Sequence, residues 1–232
     1  MKTPRKIISV CLSFLLITLI TVSGTLAYEN IKQNIVSLSN DTENEFKVSI
    51  IRSGDIVDNK ENPDFQILPI REGLSKDEIL SSEQFINHEV FVENTGNLEA
   101  FVRVVFAFPS SLVEPDENGR RALHIVESSS ENWVYLSESI EIDSQSYTLY
   151  IYSYDGTLMP DKKTSDSAIS GFYLDSKVTN QNGAYYFGGK RLAVDQNGKF
   201  AFYTKAQATS PTEFTSAESA FEALGLPNFE SQ

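Results

Sequence analysis

Histidine, cysteine, serine and paired carboxylates carry most hydrolytic and metal chemistry, and this chain of 232 residues offers few arrangements of them. Its only histidines are His88 and His124, far apart in sequence and each in a segment that reads as a strand. A catalytic zinc normally takes three protein ligands and an open water position, most often with two histidines from one helical turn. No His-Glu-x-x-His is present, so carboxylates would have to complete such a site and a secreted metallopeptidase is the least favoured reading. Nucleophilic hydrolysis is no better served. The single cysteine, Cys11, lies in the N-terminal apolar segment, no Gly-x-Ser-x-Gly elbow occurs, and Ser170-Gly171 reads more simply as a turn. Carboxylate pairs of the glycosidase type are uninformative among 32 acidic residues. The chain therefore reads as a non-enzyme with no cofactor.

Binding chemistry has more candidates. Glu114-Pro115-Asp116-Glu117-Asn118-Gly119 and the acidic stretch Asp55 to Asp64 offer hard oxygen ligands of the kind calcium takes. Neither has EF-hand spacing, and a solvated turn is the simpler reading, so no metal site is expected. Alternation along a strand puts Tyr150, Tyr152 and Tyr154 on one face. Such a row would stack on sugar rings or form a partner surface; core packing and cross-strand pairing are the competing explanation.

The elements that would position these groups begin after an export signal. Lys2, Arg5 and Lys6 precede an uncharged stretch from Ile7 to Ala27, and Thr25-Leu26-Ala27 fits the small-x-small pattern of a cleavage site, placing the cut between Ala27 and Tyr28. The competing reading is an uncleaved anchor, because the uncharged run approaches the roughly 20 residues that span a bilayer. Val10 before Cys11 argues against a lipoprotein signal, and the last residues lack the apolar tail and basic end of a wall-sorting signal. Without the leader's three cations, 16 Lys and Arg face 32 Asp and Glu, a formal charge of −16. Such an excess repels phosphate backbones and excludes nucleic acid as a partner. No cysteine remains to form a disulfide, so the apolar core must supply the stability.

Residues 28–45 are polar and lack a clear period, as expected of a flexible arm or a first edge strand. Phe46, Val48 and Ile50 then alternate with Lys47 and Ser49, the period of a half-buried strand. Ser75 to Ser82 reads as a short helical turn. The strongest local signal is the pair of apolar runs His88 to Glu93 and Ala100 to Phe108, joined across Asn94-Thr95-Gly96-Asn97 as a hairpin or a corner between sheets. The second run is apolar on both faces, as a central strand would be. Leu123 to Val126 and Trp133 to Leu136 read as a pair of strands across a serine-rich turn, and Tyr147 to Tyr154 as a long strand ending at Asp155-Gly156. Asn182-Gly183, Gly188-Gly189 and Asn197-Gly198 then separate short strands at Phe172 to Val178, Ala184 to Phe187, Arg191 to Val194 and Phe200 to Ala208. Thr215 and Glu218 form a capping-box pair ahead of a helix at 215–224 whose Ala217, Ala220, Phe221 and Leu224 share one face, with Gly225 placed to end it. This pattern predicts an all-β chain: one jelly-roll-like antiparallel β-sandwich over residues 46–232, with a short C-terminal helix packed on it.

Several of these motifs occur together in one order. Gly24-Thr25-Leu26-Ala27-Tyr28 is similar to the Gly-Thr-x-Ala-Tyr junction of Gram-positive proteins cut by an ER-type signal peptidase. Val92-Glu93-Asn94-Thr95-Gly96, followed by Ala100-Phe101-Val102-Arg103-Val104, resembles that group's Val-x-Asn-Thr-Gly and Ala-Tyr-Val-Arg-Val segment. Thr204 to Ala208 with Phe214 to Phe221 resembles its closing strand and alanine-rich helix. The chain thus resembles the TasA and camelysin family of biofilm-matrix fibre proteins. It departs from the family pattern in having Glu29 rather than an aromatic after Tyr28, and Pro69-Ile70 where Pro-Gly is usual. The resemblance implies a jelly-roll-like sandwich, secretion to the cell surface or biofilm matrix, self-association into fibres, and matrix proteins or polysaccharide as further partners. It implies a structural part for Asn94, Thr95, Gly96 and Arg103. A surface-displayed carbohydrate- or ligand-binding module centred on the three tyrosines is the alternative from another class.

Overall fold

The structure, a computed structural model, describes residues 46–52, 55–56, 60–61, 66–128 and 131–229, all within one compact unit, Asn44–Gln232. The leader, its Ala27/Tyr28 junction and the arm at 28–45 lie outside the described residues, as does most of the acidic stretch 55–64.

The fold is an all-β antiparallel sandwich with a short C-terminal helix, as the strand spacing predicts. One layer is a five-stranded sheet. Its centre is β6 (Ala100–Pro109), every residue of which is buried, because both faces of this strand are apolar and both are covered. β14 (Phe202–Thr209) and β9 (Gln145–Leu158) flank it, β3 (Lys60–Glu61) lies beyond β14, and β8 (Trp133–Ile142) lies beyond β9. Three small sheets face it: β2 (Asp55–Ile56), β1 (Val48–Arg52) and β5 (Val90–Asn94) in that order; β4 (Ile86–Asn87), β10 (Ile169–Leu174) and β7 (Leu123–Glu127); and β11 (Thr179–Gln181), β12 (Ala184–Phe187) and β13 (Lys190–Arg191). Three helical segments complete the described elements: α1 (Lys76–Leu80), α2 (Ser110–Val113) and α3 (Ala217–Leu224).

The main core sits between the layers. Phe106 and Phe108 on β6, Tyr150 and Tyr152 on β9, and Phe202 on β14 meet Phe172 of β10 and the aliphatic residues of β1 and β5. Phe108 is the hub of this cluster: its ring stacks on Phe202 at 4.7 Å and meets Tyr150 and Phe172 edge-on at 5.8 and 6.4 Å. Such pairs gain roughly 0.5–1.5 kcal/mol beyond the burial of their area. Close backbone approach constrains one position here: a Cβ at Gly171 would lie 2.1 Å from the Ile86 carbonyl oxygen where β10 meets β4.

The outer face of the five-stranded sheet is covered as well. Phe101 of β6 packs with Ala217, Ala220 and Phe221 of α3, while Val105, Ala107, Leu149 and Ile151 pack with Phe229 near the end of the described chain. This second cover explains why β6 is apolar on both faces.

Several local expectations need correction. The runs at Leu123 and Trp133 do not pair with each other: β7 pairs with β10 and β8 with β9, so the chain crosses from one layer to the other between them. β9 does not stop at Asp155-Gly156 but continues to Leu158, Gly156 taking φ +113 near a register irregularity opposite Phe101 and Arg103. Of the 191–194 run only Arg191 lies in a strand, the two-residue β13, and β10 ends at Leu174 rather than Val178. The capping box forms at α1, where Ser75 and Glu78 cap each other, and not at α3. There Ser216, extended at φ −151, is the N-cap and accepts from the Ser219 amide, which leaves Thr215 outside the helix. Gly225 ends α3 as expected, its amide bonding to the Phe221 carbonyl.

Candidate interaction site at the open edge strand

The β8–β9 hairpin turns on Asp143 and Ser144, whose φ angles of 51° and 64° are both left-handed, and it closes with Ile142 opposite Gln145. In a two-residue turn of this kind the closing pair exchanges both backbone hydrogen bonds, and hydrogen-bonded and non-hydrogen-bonded pairs then alternate along the ladder. Ile142, Ile140, Glu138, Leu136 and Val134 therefore direct their amides and carbonyls toward β9. The alternation holds to the far end, where the Asn132 carbonyl accepts from the Asp155 amide at 2.7 Å. Trp133, Tyr135, Ser137, Ser139 and Glu141 consequently direct theirs away from β9. Among the described residues no strand pairs with that edge.

Ten residues of open edge is a ready template for another strand. Among the described residues the other sheet ends are shorter or covered; β5, for instance, is bonded by residues 162–168 through the Lys162 carbonyl and the Thr164 and Ala168 amides. Native edges are commonly blunted by lysine, proline or a bulge. β8 has none of these, and its only charges are Glu138 and Glu141. Val134, Tyr135 and Leu136 are 47, 38 and 50 % exposed, an apolar run on an unpaired strand.

On the α3 side, Val134 and Leu136 border a groove of about 490 Å³ between β8, β9 and the helix. Ile151, Phe221 and Leu226 extend its apolar lining, and Glu138, Asp155, Glu218 and Glu222 surround it. Arg103 is its one cationic residue and is 5 % exposed. The guanidinium lies 4.5 Å from the centre of the Phe221 ring, donates through Nε and Nη2 to Gln207 Oε1 at 2.8 and 2.6 Å, and donates to the Gly225 carbonyl. Burial pulls its pKa down to about 10, against the upward pull of Glu138, so it remains a cation at neutral pH. Arg103 thus ties α3 to the sheet, and the groove is negative at its rim.

Asn94 is fully buried and holds the corner between the layers: Nδ2 donates to the Leu98 and Leu158 carbonyls at 2.8 and 2.7 Å, and Oδ1 accepts from the Gly96 amide at 3.0 Å. The Thr95 and Gly96 amides both bond to the Lys47 carbonyl. The Asn-Thr-Gly segment is therefore an inter-sheet corner, since β5 and β6 belong to different sheets.

The tyrosine surface is corrected. Tyr150 and Tyr152 are 5 and 2 % exposed because that face of β9 is the inner face of the sandwich, and burial pushes the Tyr150 phenol up to about 12 and that of Tyr152 higher still. Only Tyr154 reaches the surface, its hydroxyl 3.1 Å from Ser165 Oγ. These side chains do not form an exposed row for sugar stacking.

His88 packs between the rings of Phe172 and Phe202, while His124 stacks on Tyr173 and meets Asp175 at 3.1 Å. Among the described residues no three His, Cys, Asp or Glu side chains converge as a metal site. In the 114–119 loop, Asp116 is engaged by the Asn118 and Arg120 amides and by the Arg120 guanidinium, which hold its carboxyl down at about 2.

What the sequence reading missed is the full extent of β8 and the groove beside it. Its apolar and polar residues alternate only partly after Leu136, and the left-handed turn uses aspartate and serine instead of the expected Asn-Gly or Asp-Gly. No known protein family, curated protein or solved structure matches this chain.

Proposed function

We propose that this chain is an exported, non-enzymatic structural protein of the cell surface or biofilm matrix that joins other chains by strand addition at β8. In this reading an ER-type signal peptidase removes the leader, and the sandwich is a rigid body with one strand edge left available. The observation that carries it is the ten-residue open edge of β8 with its apolar run Val134 to Leu136. Main-chain hydrogen bonds supply affinity in such additions, and the alternate side chains supply selectivity. Export and a matrix location are supported by the leader pattern and by the resemblance to the TasA and camelysin family, which also supports polymerisation into fibres.

The mature chain carries a formal charge of −16, so copies repel one another and salt promotes self-association by screening. Ser137→Pro tests the reading. The Ser137 amide points away from β9, and proline is tolerated on an edge strand at such a position. Light scattering and electron microscopy on the chain from Tyr28 to Gln232 at raised salt are expected to show polymers for the natural sequence and monomers for Ser137→Pro. Stability should differ by less than about 1 kcal/mol between them. Leu136→Pro removes a bond to β9 and is expected to cost more than about 1 kcal/mol, which checks the assigned phase of the strand. Equal polymerisation by Ser137→Pro would remove β8 from the assembly.

A further inference from the structure

The charge around β8 says which kind of strand it accepts best. A strand added beside β8 directs alternate side chains to the α3 side, where they meet Val134, Leu136 and then Glu138 in succession, about 7 Å apart. The first two positions face the apolar lining of the groove. The next faces Glu138; Glu218 and Glu222 line the same groove from α3, Asp155 lies at its other end just beyond the Trp133–Tyr154 pair, and none of the four makes a salt bridge among the described residues. The only cation at the groove, Arg103, is already committed to Gln207, Gly225 and Phe221.

Resting on the strand-addition reading, we propose that the preferred occupant of β8 and its groove is an extended segment of a different protein. Its groove-facing positions carry aliphatic residues followed by Lys or Arg. Aliphatic side chains would cover Val134, Leu136 and Leu226, and the basic ones would neutralise the rim. A second copy of β8 fits less well, because it brings the same carboxylates toward their equivalents. Among the described residues, the strands that mix basic and apolar residues are already paired on both edges. β1 lies between β2 and β5, and β14 between β3 and β6.

The chain carries its own reporter. Trp133, the only tryptophan, opens β8, is half-buried, and rests edge-on against Tyr154 at 5.2 Å. The probe is a short amidated peptide in which Val, Ile and two Lys alternate with Thr and Ser, titrated into the chain from Tyr28 to Gln232 and followed by Trp133 fluorescence. Three controls accompany it: a peptide of the same composition with the alternation scrambled, one with Lys replaced by Glu, and the Ser137→Pro protein.

Saturable binding of the alternating basic peptide alone is expected. It should be lost in Ser137→Pro and weakened about fivefold to tenfold in the double variant Glu138→Gln, Glu222→Gln. Binding should fall with salt, opposite to self-association, and the bound peptide should suppress polymer formation. Equal binding of the scrambled peptide, or full binding to Ser137→Pro, would reduce the effect to general attraction to an acidic surface and overturn the proposal. Polymers without peptide binding would make a second copy the occupant and overturn it while leaving strand addition intact. Monomers that bind no peptide would overturn both.

Discussion

Replacing Asn94 with alanine is expected to destabilise the sandwich by about 3–5 kcal/mol, one of the two largest effects expected of a single substitution. The side chain has no exposure, and all three of its hydrogen-bonding capacities in use go to the backbone of the corner: the Leu98 and Leu158 carbonyls and the Gly96 amide. Alanine would remove the donor to the Leu98 and Leu158 carbonyls, while the Gly96 amide would keep its bond to the Lys47 carbonyl, and an unsatisfied buried group costs about 1–3 kcal/mol. The same residue's amide and carbonyl bond to Lys162 and Asp161, so the corner also fixes the segment that covers β5. Thermal unfolding should show a melting temperature lower by roughly 10 °C, given about 2–4 °C per kcal/mol for a domain of this size. A loss below about 1 kcal/mol would mean that the corner holds without its asparagine.

Phe108→Ala is the second, with an expected cost of about 3–5 kcal/mol from lost burial and the cavity left behind. Phe108 has no exposure and lies near the C-terminal end of β6, the central strand, where its ring touches aromatic partners from both layers: Phe106, Tyr150 and Phe202 in its own sheet and Phe172 across the core. The neighbouring rings also pack on one another, Phe172 on Phe202, both of these on Phe200, and Phe106 on Tyr152, which limits their collapse into the gap. Urea unfolding should show a lower midpoint with an unchanged slope, the sign of lost stability without altered compactness. Phe108→Leu keeps much of the volume and should cost clearly less than the alanine change. Equal costs would contradict the placement of this ring as the hub.

How far these features could be read from sequence depends on how local their causes are. The central position of β6 was legible because its burial on both faces is written in a run with no polar face. Asn182-Gly183 and Gly188-Gly189 were legible because tight hairpins need positive φ, which these pairs adopt. α3 was legible from its apolar spacing, though its cap was shifted by one residue: Ser216, not Thr215, turns its hydroxyl onto the first turn. The partner of each strand was not legible, because alternation marks a strand without saying what it lies beside. The Leu123 and Trp133 strands are neighbours in sequence yet bond to β10 and β9 in different layers. The burial of Tyr150 and Tyr152 followed the same limit: alternation placed them on one face, and only the packing of the layers made that face the inner one.

The candidate site was the least legible part. Asp143-Ser144 closes the β8–β9 hairpin with two left-handed residues and no glycine, so the turn that sets the phase of the open edge has no strong composition signal. The groove is assembled from β8, β9 and a helix far along the chain, and its acidic rim was dispersed among 32 acidic residues. Arg103, by contrast, was marked by its motif; what the motif did not reveal is that it reaches across to Gly225 and Phe221 and pins α3 over the sheet.

Residue-resolved amide hydrogen exchange on β8, with and without assembly, tests the central claim most directly. In the monomer, the amides of Val134, Leu136, Glu138 and Ile140 should be protected by their bonds to β9, and those of Tyr135, Ser137, Ser139 and Glu141 should exchange freely. Strand addition should bring the second set to the protection of the first while leaving the first unchanged. Assemblies in which Tyr135, Ser137, Ser139 and Glu141 still exchange as fast as in the monomer would contradict it.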